Sequence, residues 1–157
     1  FSKEMQNAIT NYCQAGGNFF VSGAYVASDL WDNRLVKANE EDKKFAMEVL
    51  KYKWRVGQAA RNGKVKSVAS PFPEITGSYT YYQDLNPESY VVESPDALEP
   101  AAQGAFTILR YSENNLSAGI AYKGNYKTCV LGFPFEAIRT VTERELLMKA
   151  ILTFFEH

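Results

Sequence analysis

A chain of 157 residues with net charge −1, 46% hydrophobic and 22% charged residues, has the size and balance of one globular domain, and it can bury a sizeable core without metals or staples. The near-zero charge excludes the electrostatic footprint of a nucleic-acid or anionic-membrane binder, and no apolar run reaches the roughly 18–20 residues needed to span a bilayer. Ten tyrosines and ten phenylalanines suit extracellular carbohydrate work, and Phe1-Ser2 running straight into a helical pattern predicts a piece of a larger multidomain protein.

Residues 3–15 place Met5, Ala8, Ile9, Tyr12 and Cys13 on one helical face, with Ser2 as N-cap and Gly16-Gly17 as the stop. The short apolar run Asn18-Phe19-Phe20-Val21 predicts a buried strand. It ends at a small-residue corner, Ser22-Gly23-Ala24, after which Tyr25 to Asp29 predicts the start of another helix. Trp31-Asp32-Asn33 has turn chemistry. Asn39, with Asp42 three residues on, predicts a capped helix whose stripe is Phe45, Ala46, Val49 and Leu50 and which stops near Gly57. Arg61-Asn62-Gly63 marks a turn, and Lys64 to Val68 alternates as a half-exposed strand.

Residues 74–104 are the least regular, with short strands predicted at 78–82 and 89–92 and an acidic, proline-bearing loop from Glu93 to Pro100. Three strands follow with short turns between them: Ala105 to Tyr111, Leu116 to Tyr122 and Tyr126 to Phe133. That spacing implies an antiparallel meander. Thr142-Glu143-Arg144-Glu145 has capping-box chemistry and opens a last helix with Leu146, Leu147, Ala150, Ile151, Phe154 and Phe155 on its apolar face. Helices at both ends with strands between predict a three-layer α/β sandwich.

The chemistry-bearing candidates start at the corner, because many hydrolytic α/β enzymes carry a nucleophile at a strand-turn-helix junction. Ser22 ends the strand, and Tyr25, Ser28 and Asp29 follow. The G-x-S-x-G spacing is missing, and the sole histidine is the last residue, His157. The same small residues also suit close helix-on-strand packing. A tyrosine-centred proton abstraction, of the kind polysaccharide lyases use, has its residue types in Tyr25, Tyr81, Tyr82, Arg34 and Arg61, though tyrosines in strands are usually packing residues. Glu93, Asp96 and Glu99 form an acidic cluster without a calcium-loop pattern, and neither a resident metal nor a cofactor is expected. Tyr79, Tyr81 and Tyr82 are candidate sugar-stacking rings, against the alternative of core and edge packing. Glu136, just past a strand end, stands where α/β folds gather site residues. Cys13 and Cys129 read first as buried hydrophobes; a disulfide between them is the alternative, and a thiol nucleophile has no imidazole to activate it.

Three stretches together carry a family likeness: Tyr12 to Asp29 (YCQAGGNFFVSGAYVASD), Val49 to Trp54 (VLKYKW) and Val130 to Glu136 (VLGFPFE) before a capped terminal helix. The chain resembles a flavodoxin-like domain of the class I glutamine amidotransferase-like type, in the version found within secreted bacterial xanthan lyase-like proteins. The likeness covers most of the chain except 74–104. It implies a flavodoxin-like sandwich with a mixed sheet over residues 1–157, an extracytoplasmic setting, polysaccharide and the other domains of a parent chain as partners, and an open sheet edge through which two copies pair.

In active members the corner holds a cysteine between glycines, where this chain has Gly23-Ala24-Tyr25. A His-Pro-Glu segment stands where this chain has Phe133-Pro134-Phe135-Glu136, so only Glu136 carries over. The resemblance therefore implies the fold and argues against amidotransferase activity. The leading expectation is a non-catalytic or accessory domain. The alternatives are a lyase or hydrolase using Tyr25 with Asp29 or Glu136, and a carbohydrate-binding module.

Overall fold

The computed structural model describes residues 1–32 and 38–157. Asn33, of the expected turn, and Arg34, of the tyrosine-centred set, lie outside the described residues.

The first helix, α1 (Lys3–Gln14), begins where Ser2 Oγ accepts the Met5 N–H. Its buried residues are Gln6, Ile9 and Cys13. Met5 and Tyr12 remain more than half exposed, so the buried stripe is narrower than the sequence predicts. Strand β1 (Phe19–Ser22) follows, half-buried rather than buried because it is an edge strand.

The helix expected from Tyr25 is a single 3₁₀ turn, Ser28–Leu30. The second helix is also shorter. α2 (Glu40–Phe45) carries the expected capping box of Asn39 and Asp42, passes into one π turn, Ala46–Leu50, and is closed by Lys51 in the left-handed region at φ 68°. Beyond it the chain is strand β2 (Tyr52–Val56), not helix. Aromatic and β-branched residues on alternate positions override the helical period there, and the buried Tyr52 donates from its hydroxyl to Val26 O at 2.9 Å.

β3 (Lys64–Ser67) and β4 (Ser78–Thr80) form a hairpin, with Tyr81 adding an isolated bridge to Ile138. No strand forms at 89–92; there the Val92 N–H bonds Tyr82 O across a loop. The end of the acidic loop is itself a strand, β5 (Ala97–Pro100), which pairs antiparallel with β2. The predicted meander is present as β6 (Ala105–Tyr111), β7 (Ser117–Lys123) and β8 (Lys127–Leu131). The last helix, α3 (Val141–Glu156), is capped by Thr140 rather than Thr142. Thr140 Oγ1 accepts the Glu143 N–H and donates to the Glu143 carboxylate, so the cap stands two residues earlier.

The main sheet has the order β1-β8-β7-β6-β3-β4, with β1 parallel to β8 and the other pairs antiparallel. Successive residues on a strand face opposite sides, and β8 shows it. Cys129 and Leu131 join Leu147, Ile151 and Phe154 of α3, while Val130 joins Ile9, Cys13, Phe45 and Leu50 on the other side. The Phe72 ring, from the proline-rich connection, stacks on Phe154 at 4.5 Å and clamps α3 down. The β2–β5 ribbon shares the α1–α2 side through Tyr52 and Leu98. The result is the expected α/β sandwich: α3 on one face, a mixed sheet in the middle, and α1, α2 and the ribbon on the other.

Candidate functional site at the first strand corner

β1 delivers the chain to the corner, and the neighbouring strand holds it there. The Gly23 N–H continues the ladder to Leu131 O at 3.3 Å. Tyr25 then turns the backbone through the left-handed region at φ 62°, a conformation costly for a side chain of this size and kept only when its surroundings enforce it. The restraint is visible: Tyr25 N–H donates to Ser94 O, and Tyr25 O accepts the Asp29 N–H.

The strongest restraint is Asp96. Its side chain is fully buried. Oδ2 accepts the N–H groups of Ala27 at 2.8 Å and Ser28 at 3.0 Å and the Ser28 hydroxyl at 3.2 Å, while Oδ1 accepts the Trp54 indole N–H at 3.0 Å. The residue's own N–H and C=O bond Gly132 O and the Tyr111 hydroxyl. Asp96 thus ties together the corner, β2 and the end of β8. Burial pushes its carboxyl above the ordinary aspartate value against the pull of the four donors. The sequence treats Asp96 as one of three surface acids. Its only distinguishing sign there is its place directly before the apolar pair Ala97-Leu98.

Around the corner lies an open cleft of about 360 Å³ whose walls include Phe1, Met5, Ser22, Tyr25, Val26 and Asp29. Three sequence candidates therefore meet. Tyr25 is 40% exposed. Asp29 Oδ2 lies 2.7 Å from the backbone nitrogen of Phe1. Ser22 Oγ accepts the Phe135 N–H at 3.1 Å, which fastens the Pro134-Phe135 turn to β1. Among the described residues, no carboxylate, amine or imidazole is hydrogen-bonded to the Ser22 hydroxyl.

Glu136 does not line this cleft. Its Oε1 accepts the Tyr90 hydroxyl at 2.6 Å. Partial burial and the adjacent Glu136 carboxylate raise the Tyr90 phenol above its ordinary value, so Tyr90 is a proton holder and a poor base at neutral pH. Arg61 sits in the turn before β3, its N–H on the Glu113 carboxylate, away from the cleft lining.

The three tyrosines that were candidates for stacking on sugar do not form a platform. Tyr79 and Tyr81 are core side chains, and the Tyr81 ring stacks on Phe133 at 4.9 Å. Burial raises the Tyr81 phenol, whose hydroxyl has no hydrogen-bond partner. Only Tyr82 keeps an accessible edge, and it is occupied by Glu88 at 2.5 Å and by the Arg139 guanidinium 5.1 Å over the ring. Alternation accounts for the loss: Tyr79 and Tyr81, two residues apart, point to the same face, and that face is the covered one.

The acidic cluster also separates. Glu93 is exposed, Asp96 is buried and Glu99 pairs with Arg55. Among the described residues no group of three or more histidine, cysteine or acidic side chains is placed to hold a metal ion.

Both thiols are free and buried, on opposite faces of the sheet. Burial raises the pKa of each, with Lys51 opposing slightly at Cys13. No helix among the described residues is long and apolar enough to cross a membrane. No protein-family model matches the sequence, and no curated protein does.

Proposed function

We propose that this chain is a non-catalytic accessory α/β domain of an extracytoplasmic protein that handles polysaccharide, its corner serving recognition rather than bond breaking. One observation carries the non-catalytic part. The corner where the resemblance expects a thiol nucleophile, Gly23-Ala24-Tyr25, has no cysteine, and Cys13 and Cys129 lie inside the two cores. The Ser22 hydroxyl accepts the Phe135 N–H, and among the described residues no base is hydrogen-bonded to it. The polysaccharide and the extracytoplasmic setting rest on the resemblance alone.

The test is to purify the chain and measure glutamine hydrolysis, ester hydrolysis and release of unsaturated uronates, alongside retention on immobilised acidic and neutral polysaccharides. The proposal expects retention without turnover. Turnover abolished by Tyr25→Phe or Ser22→Ala would refute it.

A second reading, a lyase or hydrolase centred on Tyr25, draws support from the meeting of Ser22, Tyr25 and Asp29 in one open cleft. It requires loss of turnover in both Tyr25→Phe and Asp29→Asn, with the fold intact.

A further inference from the structure

A second cleft, of about 470 Å³, opens where the β2–β5 ribbon overlies the β6–β7 hairpin, on a different part of the molecule from the corner. Its walls are polar, and two β-bulges build it. In the β2–β5 ladder the register shifts between Trp54 and Val56, which leaves Arg55 as the unpaired extra residue. In the β6–β7 ladder the register shifts between Thr107 and Leu109 and again between Leu109 and Arg110, where Ala118 on β7 is the extra residue and Arg110 stands opposite Ser117. Bulges re-aim side chains and concentrate beside functional sites. Here Arg55, from the first bulge, and Arg110, a paired residue beside the second irregularity, line the same cleft.

The charges do not cancel. Arg55 Nη1 is paired with Glu99 Oε1 at 2.5 Å. Arg110 has no carboxylate partner among the described residues. Its Nη1 donates to Asn115 O at 2.7 Å, and its other N–H groups are unengaged. A guanidinium presents five donors in a planar fork matched to a carboxylate, so Arg110 has the remaining half of a bidentate site on offer. Neutral hydrogen-bonding groups stand beside it. Thr107 Oγ1 donates to Ser117 Oγ at 3.2 Å, leaving acceptor capacity on both oxygens. Asn115, held in the left-handed region at φ 64°, presents a side-chain amide with no partner among the described residues.

We propose that this cleft binds a carboxylated sugar, with Arg110 gripping the carboxylate and Thr107, Ser117 and Asn115 meeting ring hydroxyls. One uncompensated guanidinium beside the Arg55–Glu99 pair suits a single negative charge, and the Glu99 carboxylate repels a dianion such as phosphate. The capacity to hold a carboxylate follows from the cleft itself; the sugar rests on the polysaccharide reading above.

The experiment is a titration of the isotopically labelled full chain, followed by NMR at low salt, with a glucuronate-bearing disaccharide, its neutral counterpart, acetate and inorganic phosphate. The acidic disaccharide should shift the Arg110 side-chain and Asn115 carboxamide signals. It should bind at least about tenfold more weakly to Arg110→Gln, with a smaller loss in Arg110→Lys, which keeps the charge without the fork. Thermal unfolding verifies that each variant is folded, and Asn115→Gly provides an independent perturbation that retains the turn.

Absence of shifts at these two residues, or equal binding by folded Arg110→Gln, overturns the proposal. Acetate binding as tightly as the disaccharide overturns the sugar assignment, and so does tighter binding of phosphate. Retention of Arg110→Gln on immobilised polysaccharide at the parent's level leaves the domain's proposed function standing and removes this cleft from it.

Discussion

Replacing Asp96 by alanine tests whether one buried carboxylate holds the corner. The substitution strips partners from four donors: the Ala27 and Ser28 N–H groups, the part-buried Trp54 indole N–H and the Ser28 hydroxyl, of which the hydroxyl alone can turn to another acceptor. Each unsatisfied donor costs about 1–3 kcal/mol. Removing the charge recovers a desolvation penalty of several kcal/mol in order of magnitude, and water entering the vacated space restores part of the bonding. The net loss is therefore about 3 kcal/mol. For a domain of this length that lowers Tm by about 6–12 °C. Circular dichroism melts and urea titrations of parent and variant measure it, and amide exchange at Ala27, Ser28 and the Trp54 indole should accelerate together. A drop under about 2 °C, with exchange unchanged at those three sites, would refute the central role given to Asp96.

Asp96→Asn tests the titration. Because burial raises the folded carboxyl pKa above its ordinary value, the folded chain takes up this proton first as pH falls. The contribution of Asp96 to stability is then fully present below the unfolded value and lost as pH rises through the folded one. The stability advantage of the parent over Asp96→Asn should grow between about pH 6 and about pH 3, and an advantage that shrinks over that range contradicts the direction. Cys13 and Cys129, both buried, should resist a thiol-alkylating reagent in the native protein and react with it in denaturant, as counted by mass spectrometry. In Gly132→Ala the new methyl would stand 2.0 Å from Asp96 O, so a loss of about 2–3 kcal/mol is expected in denaturant titration; a neutral result would mean that the β8–Asp96 junction yields easily.

The terminal helix, the meander and β1 were legible because each has a clean period and a clear boundary signal. Thr140 was missed as the cap because two threonines with glutamates three residues on compete there, and the first won. β2 was hidden because Val49-Leu50 extends the helical stripe up to Tyr52-Lys53-Trp54. Only the left-handed Lys51 separates the two periods, and a lysine gives no hint of that conformation. β5 was hidden by its acids and prolines, although Ala97 and Leu98 are fully buried. At the site, Ser22, Tyr25 and Asp29 were visible from the small-residue bend. Asp96 was not, because its partners come from residues far away in the chain and half of them are backbone groups, which leave no trace in composition. Between sugar stacking and core packing, the sequence left Tyr79, Tyr81 and Tyr82 open for the opposite reason: side-chain type was plain, while the direction each ring points depends on which sheet face is covered.

The parallel β1–β8 ladder joins Phe19 to Thr128 and Ser22 to Leu131, residues separated by most of the polypeptide. The β6–β7–β8 hairpins need only short loops to close. Ring closure over so long a span is slow and entropically expensive, so the hairpins assemble early and the amino-terminal strand docks onto them late. During synthesis β1 leaves the ribosome before its template, and Phe19 and Phe20 wait in water until β8 has emerged.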